Sequence, residues 1–254
     1  MGAGCFFETP HDNPPDRVFM LTAYLDECGH EKPGIVTIAG FLGNKECWDE
    51  FTPKWVEGLG KRKSLHMHSL RWNHPRTERL LDRLGPIPFQ CGLIPVTTAV
   101  NVADYYDIVA GHKLASLLKG YYVALMLTLI ELDKAVSDDS IKVVLDGQDT
   151  YEPKVKYILK ATENWRTSAG ERKILSVEYV ARGVTHLTEP ADYLCYALHQ
   201  KFQYPGSLKA RLTSPILENH TVAVGNVLTR RAARHTVQLA AKSHPELLRA
   251  MESI

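Results

Sequence analysis

The chain has 254 residues, of which 44% are hydrophobic and 23% charged, and its formal net charge is +1 at pH 7. This length and apolar content predict a folded domain with a substantial core. A net charge so close to zero excludes a basic field over the whole protein, so any polyanion site must be a local patch.

Cysteine usage and apolar segments exclude several further classes of protein. The five cysteines are scattered and form no Cys-x-x-Cys pair, so neither a zinc site nor a disulfide framework is indicated. The N-terminus lacks a basic segment followed by an apolar stretch, and polar residues interrupt the longest apolar segment, 114–132. We therefore expect no secretory signal, no membrane span and a cytoplasmic location.

The first element predicted along the chain is a buried strand at 18–30. Residues 1–17 are rich in Pro, Gly and polar groups and are expected to form a flexible lead-in to a single domain at 18–254. The strand is apolar until Asp26 and Glu27, and it breaks at Gly29. A carboxylate in a central strand needs a cation or a metal, although an Asp-Glu pair before Gly also suits the start of a turn.

The rest of the chain alternates predicted strands and helices. A short turn at 32–34 favours an antiparallel hairpin between the first two strands. The remaining strands are predicted at 35–43, 89–100, 141–147 and 174–180. The helices are predicted at 46–59, 77–84, 102–136, 153–167, 189–202 and 226–242. This order indicates an α/β fold, a mixed sheet of about five strands flanked by helices, with an extra C-terminal helix.

The segment 114–132 is apolar almost all round the predicted helix, which indicates burial on several sides. Two explanations stay open. The helix crosses the sheet as a central element, or it packs against a second subunit in a homodimer.

Three aspartates sit where the predicted strands end and helices begin. Asp26 ends the first strand, Asp146 ends the fourth, and Asp192 opens a late helix. If the first and fourth strands are neighbours, Asp26 and Asp146 lie about 5 Å apart. Such carboxylates repel each other unless a cation lies between them, and Mg²⁺ or Mn²⁺ is the kind of ion that few carboxylates hold. Asp192 alone is equally explained as an acid that complements the helix dipole.

A pair of histidines follows the first predicted helix. His66 and His68 have period-two spacing, so on an extended segment both side chains would face the same way. They would then contact a phosphate or transfer a proton. A solvated loop explains them equally well. Nearby, Arg71 and Arg76 flank Trp72, a combination that can follow a phosphate backbone and stack a base. A plain solvated loop and helix face explains these residues at least as well.

The order and spacing of five motifs resemble the bacterial domain-of-unknown-function family 3800. The motifs span about residues 20–200, and they are found at 24–29, 38–43, 66–68, 144–146 and 190–198. The chain departs from the family pattern in having Cys28 where a serine is usual, and His30 where an acid follows the glycine.

The resemblance implies a ribonuclease H-like fold and a protein that cleaves or handles nucleic acid with a divalent metal. It implies that Asp26, Asp146 and Asp192 form the acidic metal cluster, with Glu27 as a fourth member. Because alternate residues of a strand face opposite sides, Glu27 shares the cluster only if the strand has ended before it.

The sequence thus predicts a metal-dependent nuclease acting on RNA or DNA. Its predicted catalytic residues are Asp26, Asp146, Asp192, Glu27, His66 and His68, and its predicted cofactor is Mg²⁺ or Mn²⁺. Two alternatives stay open: a non-catalytic nucleic-acid-binding or assembly module on the same fold, and a phosphohydrolase of small phosphate esters. Cys28 is not expected to be a nucleophile, because no motif supplies its base.

Overall fold

The computed structural model describes residues 20–29, 34–109, 120–136, 140–147, 174–181, 183–218 and 224–228. The predicted lead-in at 1–17 and the predicted helix at 153–167 lie outside these ranges, as does residue 30. Elements are numbered below in chain order within the described part.

Six strands form one mixed sheet with the order β5-β4-β1-β2-β3-β6. The antiparallel pairs are β1–β2 and β2–β3, whereas β4 is parallel to both β1 and β5, and β6 is parallel to β3. The strands are β1 (Met20–Cys28), β2 (Ile35–Gly43), β3 (Ile94–Asn101), β4 (Ser140–Gly147), β5 (Ile174–Ala181) and β6 (Val224–Leu228).

Helices cover both faces of this sheet, so the predicted α/β class is confirmed. The helices are α1 (Lys45–Leu59), α2 (Pro75–Leu84), α3 (Ile87–Gln90), α4 (Val102–Val109), α5 (Gly120–Ala135), α6 (Glu189–Gln203), α7 (Leu208–Leu212) and α8 (Pro215–Glu218), with a short 3₁₀ helix at Met67–Ser69. Helices α4 and α5 lie on one face, and α1, α2 and α6 lie on the other.

The spacing between β1 and β2 depends on Gly40. A Cβ atom at this position would lie 1.9 Å from the backbone oxygen of Tyr24 on the neighbouring strand. Only glycine permits this close approach without moving a strand. Where β1 ends, Gly29 has φ of 112°, which explains why the strand stops there.

Helix α5 is buried within a single chain. Residues 120–129 and Leu132 are all buried from solvent, and the helix packs against the strands of the central sheet. Of the two explanations for its apolar sequence, the structure supports the central helix. Its burial therefore gives no reason to infer a second subunit. No helix in the described ranges is long and apolar enough to cross a bilayer.

The predicted third strand was placed too early. Residues 87–90 form helix α3 instead, with Pro86 as its N-cap and Pro88 in its first turn, and β3 begins only at Ile94. Proline fixes φ at the value that the first helical turn needs, so the two prolines favour a short helix here instead of a strand.

The beginning of the predicted C-terminal helix is also wrong. Residues 224–228 form β6, which pairs with β3, so the sheet has six strands where about five were predicted. The backbone of β3 on that side needs hydrogen-bonding partners, and the pairing satisfies them. The rest of the predicted helix, 229–242, lies outside the described residues.

Candidate functional site

The site begins with two aspartates on adjacent parallel strands. The pairing of β1 with β4 runs to Leu25 opposite Leu145, so Asp26 and Asp146 come next on each strand. Both are almost fully buried, at 2% and 5% exposure. The first and fourth strands are therefore neighbours, which is the condition under which the sequence placed the two acids close together. Asp26 and Asp146 lie on adjacent strands, about one strand spacing apart, roughly 4.8 Å.

Strand alternation directs both acids toward helix α6. Leu25 and Leu145 pack into the core under α5, whereas Tyr24 and Cys28 pack into the core that contains α6. Since residues two apart on a strand share a face, Asp26 lies on the same face as Tyr24 and Cys28. By the same alternation Asp146 lies on that face too, whereas its neighbour Leu145 lies on the other face of the sheet.

A third aspartate reaches this face from the first turn of α6. Asp192 is 9% exposed, and its Oδ2 accepts a hydrogen bond from the Met67 backbone N–H at 2.9 Å. The same oxygen lies 3.1 Å from His66 Nδ1. The structure thus brings together the three aspartates that the sequence proposed, from three separate parts of the chain.

Electrostatics link these acids. Burial, followed by the nearby charges of Asp192, Glu27 and Asp146, raises the pKa of Asp26 well above its ordinary value. The Glu27 backbone N–H donates to Asp26 Oδ1 at 2.8 Å and opposes this shift only partly. A buried carboxyl among other acids favours either a proton or a cation.

The donor set can be compared with what a divalent metal requires. Buried carboxylate oxygens are the hard ligands that Mg²⁺ and Mn²⁺ prefer. Within the described part of the chain, Asp26 Oδ2 and Asp192 Oδ1 accept no hydrogen bond, so each can still take a ligand. However, no three His, Cys, Asp or Glu side chains among the described residues are arranged as a metal-binding group. The residues fit a divalent ion in chemical type and charge.

Glu27 lies apart from the three aspartates. It follows Asp26 on the strand and so faces the α5 side, where its charge is among the causes that raise the pKa of the buried Tyr121 hydroxyl. The charge of Glu27 nevertheless contributes to the raised pKa of Asp26, its neighbour in the strand. The structure therefore separates Glu27 from the face on which the predicted cluster forms.

The two predicted histidines line one side of the cluster. His66 contacts Asp192, and the His68 ring lies 5.8 Å from the His66 ring and 5.3 Å from the Tyr196 ring, edge to face. The segment is not extended throughout, because residues 67–69 form a 3₁₀ turn. The segment that carries the two histidines is therefore not extended, contrary to the assumption made from the sequence. Their rings are nevertheless neighbours.

Cys28 is not suited to nucleophilic chemistry. Burial, together with the charges of Asp26 and Asp192, raises the pKa of its thiol to about 12. The reactive thiolate is then scarce at neutral pH. This agrees with the expectation from the sequence.

The group that holds the start of α6 is not among the predicted site residues. Glu189 is buried, and its Oε2 accepts a hydrogen bond from the Trp55 indole N–H at 2.7 Å. Its Oε1 lies 2.8 Å from His186 Nδ1. Both oxygens are engaged, so Glu189 anchors the helix turn that carries Asp192. No local pattern could have identified Trp55 as its partner.

Comparison with protein-family models and with curated proteins found no match to this chain. The function is therefore inferred from the geometry of the site and from the motifs in the sequence.

Proposed function

We propose that the protein is a divalent-metal-dependent nuclease that hydrolyses phosphodiester bonds of RNA or DNA. The observation that carries this proposal is the convergence of Asp26, Asp146 and Asp192, all buried, on one face of the sheet. Burying several acids together is costly unless a cation compensates their charge. A structural role alone does not explain why three elements each place an acid there.

In this proposal the three aspartates hold Mg²⁺ or Mn²⁺. When bound, such an ion activates a water and stabilises the leaving oxygen of a phosphodiester. His66 and the Met67 N–H both contact Oδ2 of Asp192 and so fix the orientation of its carboxylate. Oδ1 then remains available to the metal ion. His68, one position beyond Met67, is assigned to contact with a substrate phosphate.

The fold is compatible with this proposal. The strands from β5 to β3 have the order 5-4-1-2-3, with three antiparallel strands joined to two parallel ones. The motif resemblance to family 3800 implies a ribonuclease H-like mixed sheet of about five strands, and a mixed sheet containing these five strands, with β6 beside β3, agrees with it. Similarity of fold by itself does not establish a function, so the proposal of a metal-dependent nuclease depends on the residues of the site.

The test is cleavage of labelled RNA and DNA oligonucleotides in Mg²⁺, in Mn²⁺ and in EDTA. We expect metal-dependent cleavage by the wild type and its loss in Asp146→Asn. Asp82→Asn, at an exposed position on α2, is the matched control and should cleave like the wild type. Cleavage by Asp146→Asn at the wild-type rate, with both variants folded by circular dichroism, would refute the assignment.

One observation favours a second candidate, a non-catalytic nucleic-acid-binding module. In the part of the chain that the structure describes, no three potential ligands are arranged around a common point. This module would bind nucleic acid equally with and without Mg²⁺, and equally in Asp146→Asn. Calorimetric titration of the protein with Mn²⁺ separates the two, because only the nuclease requires binding that depends on Asp146.

A further inference from the structure

A stacked pair of aromatic rings extends outward from the acid cluster. The rings of Trp72 and Tyr196 are nearly parallel, at 7°, with their centroids 5.2 Å apart. Tyr196 is buried, whereas Trp72 is partly exposed. Trp72 is therefore the outer ring of a stack whose inner ring belongs to the core.

This stack is physically continuous with the candidate site. Tyr196 lies four residues after Asp192 on α6, so the two side chains are neighbours on one helix face, about 6 Å apart along its axis. The charge of Asp192 is among the causes that raise the pKa of Tyr196 to about 12, after burial and Cys28. His68 links the two as well, since its ring contacts both the Tyr196 ring and the ring of His66.

A cation accompanies the outer ring. Lys209 Nζ lies 5.6 Å from the centroid of the Trp72 ring, and it comes from the short helix α7. Arg71, next to Trp72, and Arg211, two residues after Lys209, are both exposed. A partly exposed indole among cations is the arrangement by which proteins hold single strands, with the ring taking a base and the cations taking phosphates.

We infer that Trp72 and Lys209 form a base-stacking subsite for single-stranded nucleic acid beside the acid cluster. A nucleobase stacks on the face of Trp72 away from Tyr196, and the Lys209 ammonium, which lies over the ring, moves to the adjoining phosphate. Single strands are favoured over duplexes because only unpaired bases offer a free face to an aromatic ring. Single-stranded nucleic acid would then be the substrate class of the nuclease, an assignment that rests on the proposed function.

The charge of the whole chain argues for a local site of this kind. With a formal net charge of +1, the protein has no overall field to attract a polyanion. Affinity must then come from a few placed cations and from stacking. Trp72 stacks on Tyr196, which lies one turn of α6 from Asp192, so a base seated on Trp72 lies beside the acid cluster.

The first test is equilibrium binding of a labelled oligothymidylate and of a blunt duplex, measured in EDTA so that no cleavage occurs. We expect preference for the single strand, and a loss of about 5- to 150-fold in Trp72→Ala, the range that one stacked base contributes. Trp72→Phe should retain most of the affinity. Tyr204→Ala, an exposed aromatic at the end of α6, is the matched control and should bind like the wild type.

Two further measurements exclude a merely structural role for Trp72. Quenching of tryptophan emission by the oligonucleotide should shrink in Trp72→Phe although binding persists. Lys209→Gln should lower the slope of log affinity against log salt by about one, as expected for one lost phosphate contact, whereas Lys45→Gln should not.

Equal binding by Trp72→Ala and the wild type, with both folded, would overturn the subsite, as would a preference for duplex. Since these measurements involve no hydrolysis, they stand apart from the nuclease test. Trp72-dependent binding without any metal-dependent cleavage would overturn the nuclease and keep the subsite.

Discussion

Trp55 and Glu189, which are 134 positions apart in the chain, are joined by a buried hydrogen bond of 2.7 Å from indole to carboxylate. The bond ties helix α1 to the first turn of α6, three residues before Asp192. Placement of an acid in the candidate site therefore depends on a tryptophan in a different helix.

Replacing Trp55 with Phe should remove this bond while keeping an aromatic ring in the core. We expect a cost of about 1.5–3 kcal/mol in the free energy of unfolding, since the acceptor is charged and stays buried. Trp48→Phe is the matched control, because the Trp48 indole donates to the neutral Thr22 carbonyl at 3.0 Å. It should cost about 0.5–1.5 kcal/mol. Urea denaturation of both variants measures the difference, and equal costs would contradict the role given to Glu189.

The raised pKa of Asp26 makes stability depend on pH in a defined direction. The folded state holds the proton more tightly than the unfolded state, where the pKa is near its ordinary value of 3.8. The contribution of the Asp26 carboxyl to stability is therefore complete below pH 3.8. It is lost as the pH rises through the pKa that this group has in the folded state. Asp26→Asn should be more stable than the wild type at pH 7 in EDTA, because Asn carries no charge to bury.

That gain should disappear as the pH is lowered below 3.8, where the wild-type carboxyl is neutral in both states. Thermal denaturation across this pH range, in EDTA throughout, measures it. A gain of constant size at every pH, or a loss at pH 7, would show that the Asp26 carboxyl is not disfavoured as an anion by its surroundings.

His66 should matter for metal binding through Asp192 rather than through direct contact. In His66→Ala, Asp192 loses the partner that lies 3.1 Å from its Oδ2. We expect Mn²⁺ affinity to fall by about 10- to 100-fold, as for other groups that orient a ligand. His68→Ala provides the comparison: its ring packs edge to face on Tyr196 and the residue is assigned to the substrate, so metal affinity should stay near that of the wild type while cleavage falls. Titration calorimetry distinguishes these outcomes, and equal losses in the two variants would contradict the division of roles.

Elements with strong local patterns were predicted well from the sequence. The second strand has the predicted bounds, Ile35–Gly43, and the helix predicted at 189–202 is observed at Glu189–Gln203. Both depend on signals within a few residues, namely a β-branched run after a turn and a proline in the first turn of an amphipathic helix.

Features that depend on tertiary structure were predictable only in part. The adjacency of Asp26 and Asp146 was conditional on strand order, which no local pattern specifies. Strand β6 was missed because its pairing with β3 outweighs the helical periodicity of residues 226–242. The support that Trp55 gives Glu189 and the Trp72–Tyr196 stack join distant segments, and only the folded chain reveals them.

The order of the sheet has a consequence for the newly synthesised protein. Strand β1 lies between β2 and β4, and Asp26 is synthesised before Asp146 and Asp192, which complete the cluster. Fragments from interrupted translation, or from proteolysis ahead of helix α6, would lack at least one acid. If the three aspartates form the centre of a nuclease, the cell is exposed to its activity only after synthesis has passed helix α6.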